Sequence, residues 1–235
     1  MSRKPALLAG LLLCRLALSQ DALASEAPPP VADLPLVVVP AAGAASPWFT
    51  ILVSGDGGWA ALDRGVSRDL AKHGIPVVGW NSRKYFWQAR TPDGISADLD
   101  RVIRHYARTW NKSHVILVGY SQGADTMPFM VNRLPTESRA QVDLTALLAL
   151  SDNALFEFHM GNWLGNPSGG IATAPELQHW SGAPYLCLYG EDDPDSVCAE
   201  ATGKEGIAVK MPGGHHFGGG YAGIAAEILS RLPKL

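Results

Sequence analysis

The chain has 235 residues, enough for one domain whose core is large enough to stand without disulfides. Its composition, 47% hydrophobic and 17% charged, excludes a disordered chain. A net charge of −3, with no basic run longer than two residues, excludes a dedicated nucleic-acid binder.

Arg3 and Lys4 precede an apolar run from Ala6 to Leu18, followed by Ala22-Leu23-Ala24. This is the layout of a secretory signal peptide cleaved after Ala24. The run is too short to stay in a bilayer as a spanning helix, and Arg15 interrupts it. Leu13 is too large for a lipoprotein box at Cys14. Export leaves Cys187 and Cys198 in an oxidising compartment, where a bridge across the loop between them would persist. The alternative is a pair of small buried hydrophobes.

Residues 25–45 are rich in Ala and Pro and read as a linker, apart from a candidate edge strand at Leu36-Val37-Val38-Val39. A single domain is expected over 46–235. Its predicted strands are Trp48–Ser54, Pro76–Asn81, His114–Gly119, Leu144–Leu150, Tyr185–Tyr189 and Ile207–Met211, each suited to burial on both faces. Helical patterns separate them. The clearest is the stripe Ile95, Leu99, Val102, Ile103, Tyr106 and Trp110, and a last helix runs from Tyr221 to Leu232. Strands alternating with helices predict an α/β fold, a mainly parallel sheet with helices on both faces. The glycine-rich stretch over about 151–180 has no clear strand and reads as a lid-like insertion.

Gly119-Tyr120-Ser121-Gln122-Gly123 follows a strand and opens a helix, the setting in which G-x-S-x-G acts as a nucleophile elbow. The sharp turn demands small flanking residues and lifts the Ser121 hydroxyl above the sheet. Pro128, farther along the same helix, is expected to kink it. A serine needs a base, and the base an orienting acid, here in the order Ser, acid, His. Asp193, three places past Gly190 at the end of a strand, is the assigned acid; Asp192 and Asp195 are near competitors and Asp152 a distant one. His216, directly before Phe217, is the assigned base and His215 the alternate, since two adjacent histidines cannot both face Ser121. A zinc site at this pair lacks a third ligand at metal spacing, so no metal is assigned. The oxyanion hole is assigned to the N–H groups of Gln122 and Asp56, the latter in Ser54-Gly55-Asp56-Gly57-Gly58-Trp59. That glycine cluster lacks the Gly-Lys-Ser/Thr ending of a phosphate-binding P-loop.

Five motifs in order, Ser54–Trp59, Lys84-Tyr85-Phe86-Trp87, Gly119–Asp125 with Pro128-Phe129, Phe156-Glu157-Phe158-His159 and Gly213–Phe217, resemble the VirJ/AcvB family of exported α/β-hydrolase-like proteins. The resemblance covers roughly Leu36 to Leu232. It implies an α/β-hydrolase fold, a periplasmic location and a serine hydrolase acting on aminoacylated phosphatidylglycerol, lysine being the amino acid in the best-understood case. It also implies the Cys187–Cys198 bridge and a link to virulence and secretion. The resemblance is to the short form, which lacks the additional N-terminal domain of longer members, and functions tied to that domain are not expected from it.

The cations Arg83, Lys84, Arg90, Arg101, Arg104, Arg108 and Lys112 crowd one third of the chain, whereas Glu137 to Glu205 is strongly acidic. Pairs such as Asp98 with Arg101 and Asp100 with Arg104 suit an ordinary exposed helix face. Arg83 and Lys84, beside Tyr85-Phe86-Trp87, suit contact with an anionic lipid surface, unless those three aromatics are simply core. Asp56 or Glu157 would receive the cationic amine of a lysyl group, and Trp59 and Glu157 are assigned to substrate binding. No cofactor is expected. The expected partners are an aminoacylated phospholipid at the membrane surface and secretion-system proteins. Two rivals stand: a generic secreted, cutinase-like carboxylesterase, and a non-catalytic periplasmic scaffold.

Overall fold

The protein is described by a computed structural model covering residues 27–157, 170–200 and 205–234. The expected signal peptide lies outside these residues, as does 158–169, the middle of the expected insertion. In chain order the elements are β1 (Leu36–Val39), β2 (Trp48–Val53), α1 (Ala61–Lys72), β3 (Val77–Trp80), α2 (Ser82–Tyr85) and α3 (Pro92–Trp110). Next come β4 (His114–Tyr120), α4 (Gln122–Asn132), α5 (Thr136–Arg139), β5 (Val142–Leu148), β6 (Asn153–Ala154) and β7 (Ile171–Ala172). The remainder is α6 (Ala174–Gln178), β8 (Tyr185–Gly190), β9 (Gly206–Met211) and α7 (Tyr221–Ser230).

Seven strands form one sheet in the order β1-β3-β2-β4-β5-β8-β9. Every pairing in this sheet is parallel except that of β1, an edge strand, with β3. The period of two along the strands divides the core between the faces. Phe49, Ile51 and Val53 of β2, with Val115 and Leu117 of β4, pack under α3 and α4. Ile116, Val118 and Tyr120 of β4, with Ala146 and Leu148 of β5, pack under α1 and α7. This is the α/β-hydrolase architecture. α3 buries the predicted stripe from Ile95 to Tyr106; Thr91 caps its first turn by accepting the Gly94 N–H at 3.1 Å, and Asn111 ends it at a left-handed φ of 50°.

Two expectations change. β9 is not buried on both faces: it pairs only with β8, and Ile207 is exposed on its open side. Residues 27–45 do not run as a free linker. Val31 and Leu34 are buried in the core, and Arg101 of α3 holds Asp33 at 2.5 Å and the Pro30 carbonyl at 2.7 Å. The Ala/Pro composition hid this docking because its anchors lie about seventy residues away along the chain. α4 continues through Pro128 to Asn132.

Candidate active site

Ser121 joins β4 to α4 with φ 51° and ψ −120°. A non-glycine residue held at positive φ stores strain, and here it lifts the hydroxyl off the end of the sheet. The flanking glycines are steric necessities. A Cβ at Gly119 would stand 2.4 Å from the Gly123 carbonyl oxygen, and one at Gly123 would stand 2.2 Å from that of Val53.

β8 delivers the acid. Its last residue, Gly190, accepts the Asp193 N–H at 3.1 Å, and a Cβ at Gly190 would collide with the Gly214 carbonyl at 2.2 Å. The Asp192 N–H binds the Gly213 carbonyl at 3.1 Å, so the acid turn and the loop after β9 are fastened together. Asp193 Oδ2 accepts from His215 Nδ1 at 3.0 Å, and His215 Nε2 stands 3.0 Å from Ser121 Oγ. Asp193's side chain is 1% exposed while His215's is 36% exposed, so the acid is sealed and the base meets the mouth. Asp192, Asp195 and Asp152 are exposed and stand outside this relay.

The assignment of His216 as base is therefore corrected to His215. His216 turns away, its Nδ1 bonded at 2.5 Å to the hydroxyl of Tyr120, the residue preceding the nucleophile. Tyr120 belongs to the core under α1 and α7, so it draws one histidine to that side and leaves the other for Ser121. Sequence reasoning passed over Tyr120 because the middle position of G-x-S-x-G carries no chemistry of its own. Burial, with the nearby Asp63 and Asp56 carboxylates, pushes the Tyr120 phenol upward, so it remains a proton donor.

The Ser54–Trp59 loop lies beside the nucleophile: a Cβ at Gly55 would be 3.3 Å from Ser121 Cβ. The Gly58 N–H closes a turn onto the Gly55 carbonyl at 2.9 Å, leaving Asp56 exposed at its tip. Ser54 anchors the base of the loop, its Oγ accepting the Ser82 N–H at 3.0 Å while Ser82 Oγ donates to the Ser54 carbonyl at 2.5 Å. Gln122 is the first residue of α4, so its N–H has no acceptor within the helix. Trp59 packs across Gly79 of β3 and is half-buried. Glu157 is the last described residue before 158–169 and is half-buried; two residues earlier, Leu155 accepts the Gln122 side-chain N–H at 3.1 Å.

Two buried carboxylates lie behind the site. Asp125, one turn into α4, accepts the Ser151 N–H at 2.7 Å, and burial pushes it up to about 7. Asp63 accepts the Ala60 N–H at 2.8 Å through one oxygen, while the other has no partner; burial pushes it up to about 6. The aromatic run divides. Tyr85 and Phe86 are core, as the plainer reading expected, whereas Trp87 is 60% exposed. Cys187 and Cys198 are bridged. Arg101 meets Asp98 at 2.7 Å and Arg104 meets Asp100 at 3.6 Å, the helix-face pairs expected from their spacing.

A buried acid, an imidazole and a strand-to-helix serine in hydrogen-bonding sequence define an α/β-hydrolase-fold chain with an assembled Ser-His-Asp constellation. The chain belongs to the VirJ family, whose profile, described as bacterial virulence protein (VirJ), matches residues 48–234. No curated protein matches it. Among solved structures it is similar to Est1E from Butyrivibrio proteoclasticus, with 13% identity, a TM-score of 0.61, and coverage of 86% of this chain and 95% of that one. It is also similar to an α/β serine hydrolase homologue from Coxiella burnetii, at 16% identity and a TM-score of 0.59, covering 84% of this chain and 91% of that one. A lidless α/β serine hydrolase from Xanthomonas campestris matches at 18% identity and a TM-score of 0.55, over 85% of this chain and 90% of that one. At these identities the likeness is one of fold.

Proposed function

We propose that the chain is an exported serine hydrolase that cleaves the aminoacyl ester of aminoacylated phosphatidylglycerol, lysyl-phosphatidylglycerol first among them. The observation that carries the hydrolase reading is the unbroken relay Ser121–His215–Asp193. Family membership supports the lipid substrate, and the Cys187–Cys198 bridge supports an oxidising compartment such as the periplasm. In the acylation step His215 Nε2 takes the Ser121 proton as Oγ attacks the ester carbonyl, and the Gln122 and Asp56 N–H groups hold the resulting oxyanion. His215 then gives its proton to the departing glycerol oxygen. Water, deprotonated by the same imidazole, releases the amino acid and restores Ser121. Asp193 keeps the ring in the required tautomer and stabilises its charged form.

The test uses purified protein and its Ser121→Ala variant on vesicles containing lysyl-phosphatidylglycerol, with free lysine measured and a short nitrophenyl ester run in parallel. Lysine release that disappears in the variant is the expected result. Cleavage of the nitrophenyl ester alone moves the substrate elsewhere, and silence on both from folded protein favours a scaffold. Within this reading Asp56, exposed beside Ser121, receives the substrate ammonium. Asp56→Lys is expected to cost lysyl-lipid turnover roughly tenfold more than neutral-ester turnover, and equal losses would remove that role.

A further inference from the structure

Next to the Ser54–Trp59 loop lies an open groove of about 810 Å³, outside the catalytic relay. One wall is Gly57, Gly58 and Trp59, another is Ala32 to Pro35, and Arg83, Lys84, Trp87 and Arg90 line the rest. Its one carboxylate is already engaged: Asp33 is bonded by both terminal nitrogens of Arg101, at 2.5 and 3.2 Å, and that guanidinium holds its carboxyl below the usual range. Three of the residues lining the groove, Arg83, Lys84 and Arg90, are cations on a chain whose overall charge is negative.

Arg90 is pre-oriented. Its guanidinium lies 4.3 Å from the centre of the Tyr85 ring, and Nε donates to the Tyr85 carbonyl at 3.1 Å. Such a fixed planar fork suits the oxygens of a phosphate. Arg83 and Lys84 are exposed, and Trp87, 60% exposed, brings an indole of the kind that settles at a membrane interface. The groove is also close to the chemistry. The single turn from Gly55 to Gly58 separates its wall from Ser121, and a turn of this kind spans less than about 7 Å. On its other side the Arg90 N–H binds the Phe156 carbonyl at 2.8 Å, and the neighbouring Leu155 carbonyl binds Gln122.

We infer that this groove seats the anionic phosphodiester headgroup of a membrane phospholipid, with Arg83, Lys84 and Arg90 on the phosphate and Trp87 at the bilayer interface. The inference rests on the proposed lipid hydrolysis for the headgroup's orientation: one three-carbon glycerol unit separates an aminoacyl ester at Ser121 from the phosphate. The charge at the mouth is thereby divided, with cations on the phosphate side and Asp56 on the amine side.

Binding is measured in the Ser121→Ala background, so that no lipid is consumed, by co-sedimentation with phosphatidylglycerol or phosphatidylcholine vesicles. The groove variant is Arg83→Gln with Lys84→Gln, and Lys84→Glu alone is a second form with the same change in charge. Arg68→Gln with Arg104→Gln removes equal charge from exposed helix positions outside the groove. Melting curves check that each variant is folded. The expected result is preference for phosphatidylglycerol vesicles, weakened about tenfold or more by the groove double variant and weakened less than twofold by the control pair. Soluble glycerophosphoglycerol should compete, and inorganic phosphate at equal concentration should not. Equal losses in both double variants, or unchanged binding in the groove variant, would overturn the inference. Competition by inorganic phosphate as strong as by glycerophosphoglycerol would make the groove a free-phosphate site instead. The two proposals fail separately. Groove-dependent vesicle binding without lysine release by the unmutated protein rejects the substrate and keeps the groove; lysine release with a parental KM in the groove variant does the reverse.

Discussion

Tyr120 decides which of two neighbouring histidines does the chemistry. Its hydroxyl holds His216 Nδ1 at 2.5 Å, and His215 is left bridging Ser121 and Asp193. His215→Ala should lower kcat on any accepted ester by roughly a thousandfold or more, as losing the base of such a relay does. His216→Ala and Tyr120→Phe remove hydrogen bonds that steady the loop, each worth on the order of 1 kcal/mol, and should cost about tenfold or less. Steady-state kinetics on a short nitrophenyl ester checks the ranking. A His216 variant as impaired as the His215 variant would return the base to His216. The glycines at the elbow were readable in the sequence, because strand, sharp turn and helix impose their own steric rule. The choice between the histidines was not, because it depends on a phenol 95 and 96 residues away.

At the scale of elements, the acid is positioned by a loop tied at both ends. Cys187 in β8 is bridged to Cys198 eleven residues on, and Asp193 lies between them. The bridge confines the unfolded chain as well as the native loop; for a loop of this length that is worth about 3 kcal/mol in the chain-entropy model. The Val197 N–H adds a bond to the Leu150 carbonyl at 2.9 Å, joining the loop to the end of β5. Cys187→Ala with Cys198→Ala should lower Tm by roughly 5 °C or more and reduce kcat more than it raises KM, since Asp193 loses its support before the substrate surface changes. Calorimetry and kinetics on the same sample test this, and an unchanged Tm would show that packing alone holds the loop. Reading six strands from apolar runs succeeded for a related reason. Strands inside a parallel sheet are buried on both faces, and only β9, at the edge, departs from that pattern.

For the molecule as a whole, the buried carboxylates set how stability varies with pH. Asp125 and Asp63 are raised in the folded state, to about 7 and about 6, by burial. The folded chain therefore holds protons that the unfolded chain has released, and stability is fullest below about pH 4 for these groups and falls as pH rises toward 7. Glu176, held below its ordinary value by Arg133 and Asn132 against the opposing effect of burial, works the other way, and its contribution is lost in acid. The expected Tm maximum lies near pH 5. Asp125→Asn, which keeps an oxygen for the Ser151 N–H, should raise Tm by about 3 °C or more at pH 8 and by clearly less at pH 5. A uniform shift at both pH values would mean that Asp125 has the same pKa in the folded and unfolded chain.

The sequence by itself determined the alternation of strands and helices, the elbow at Ser121, the acid turn at Asp193 and the family, because each of these is written in residues close together along the chain. Only the tertiary structure decided the rest. It turned His215 and not His216 toward Ser121, drew 27–35 onto α3 through Arg101, buried Tyr85 and Phe86 while exposing Trp87, and gathered Arg83, Lys84 and Arg90 around one groove. The physical reason is common to all four. Side-chain direction and burial depend on partners brought close by sheet order and crossover, and these lie too far along the chain for periodicity or spacing to register them.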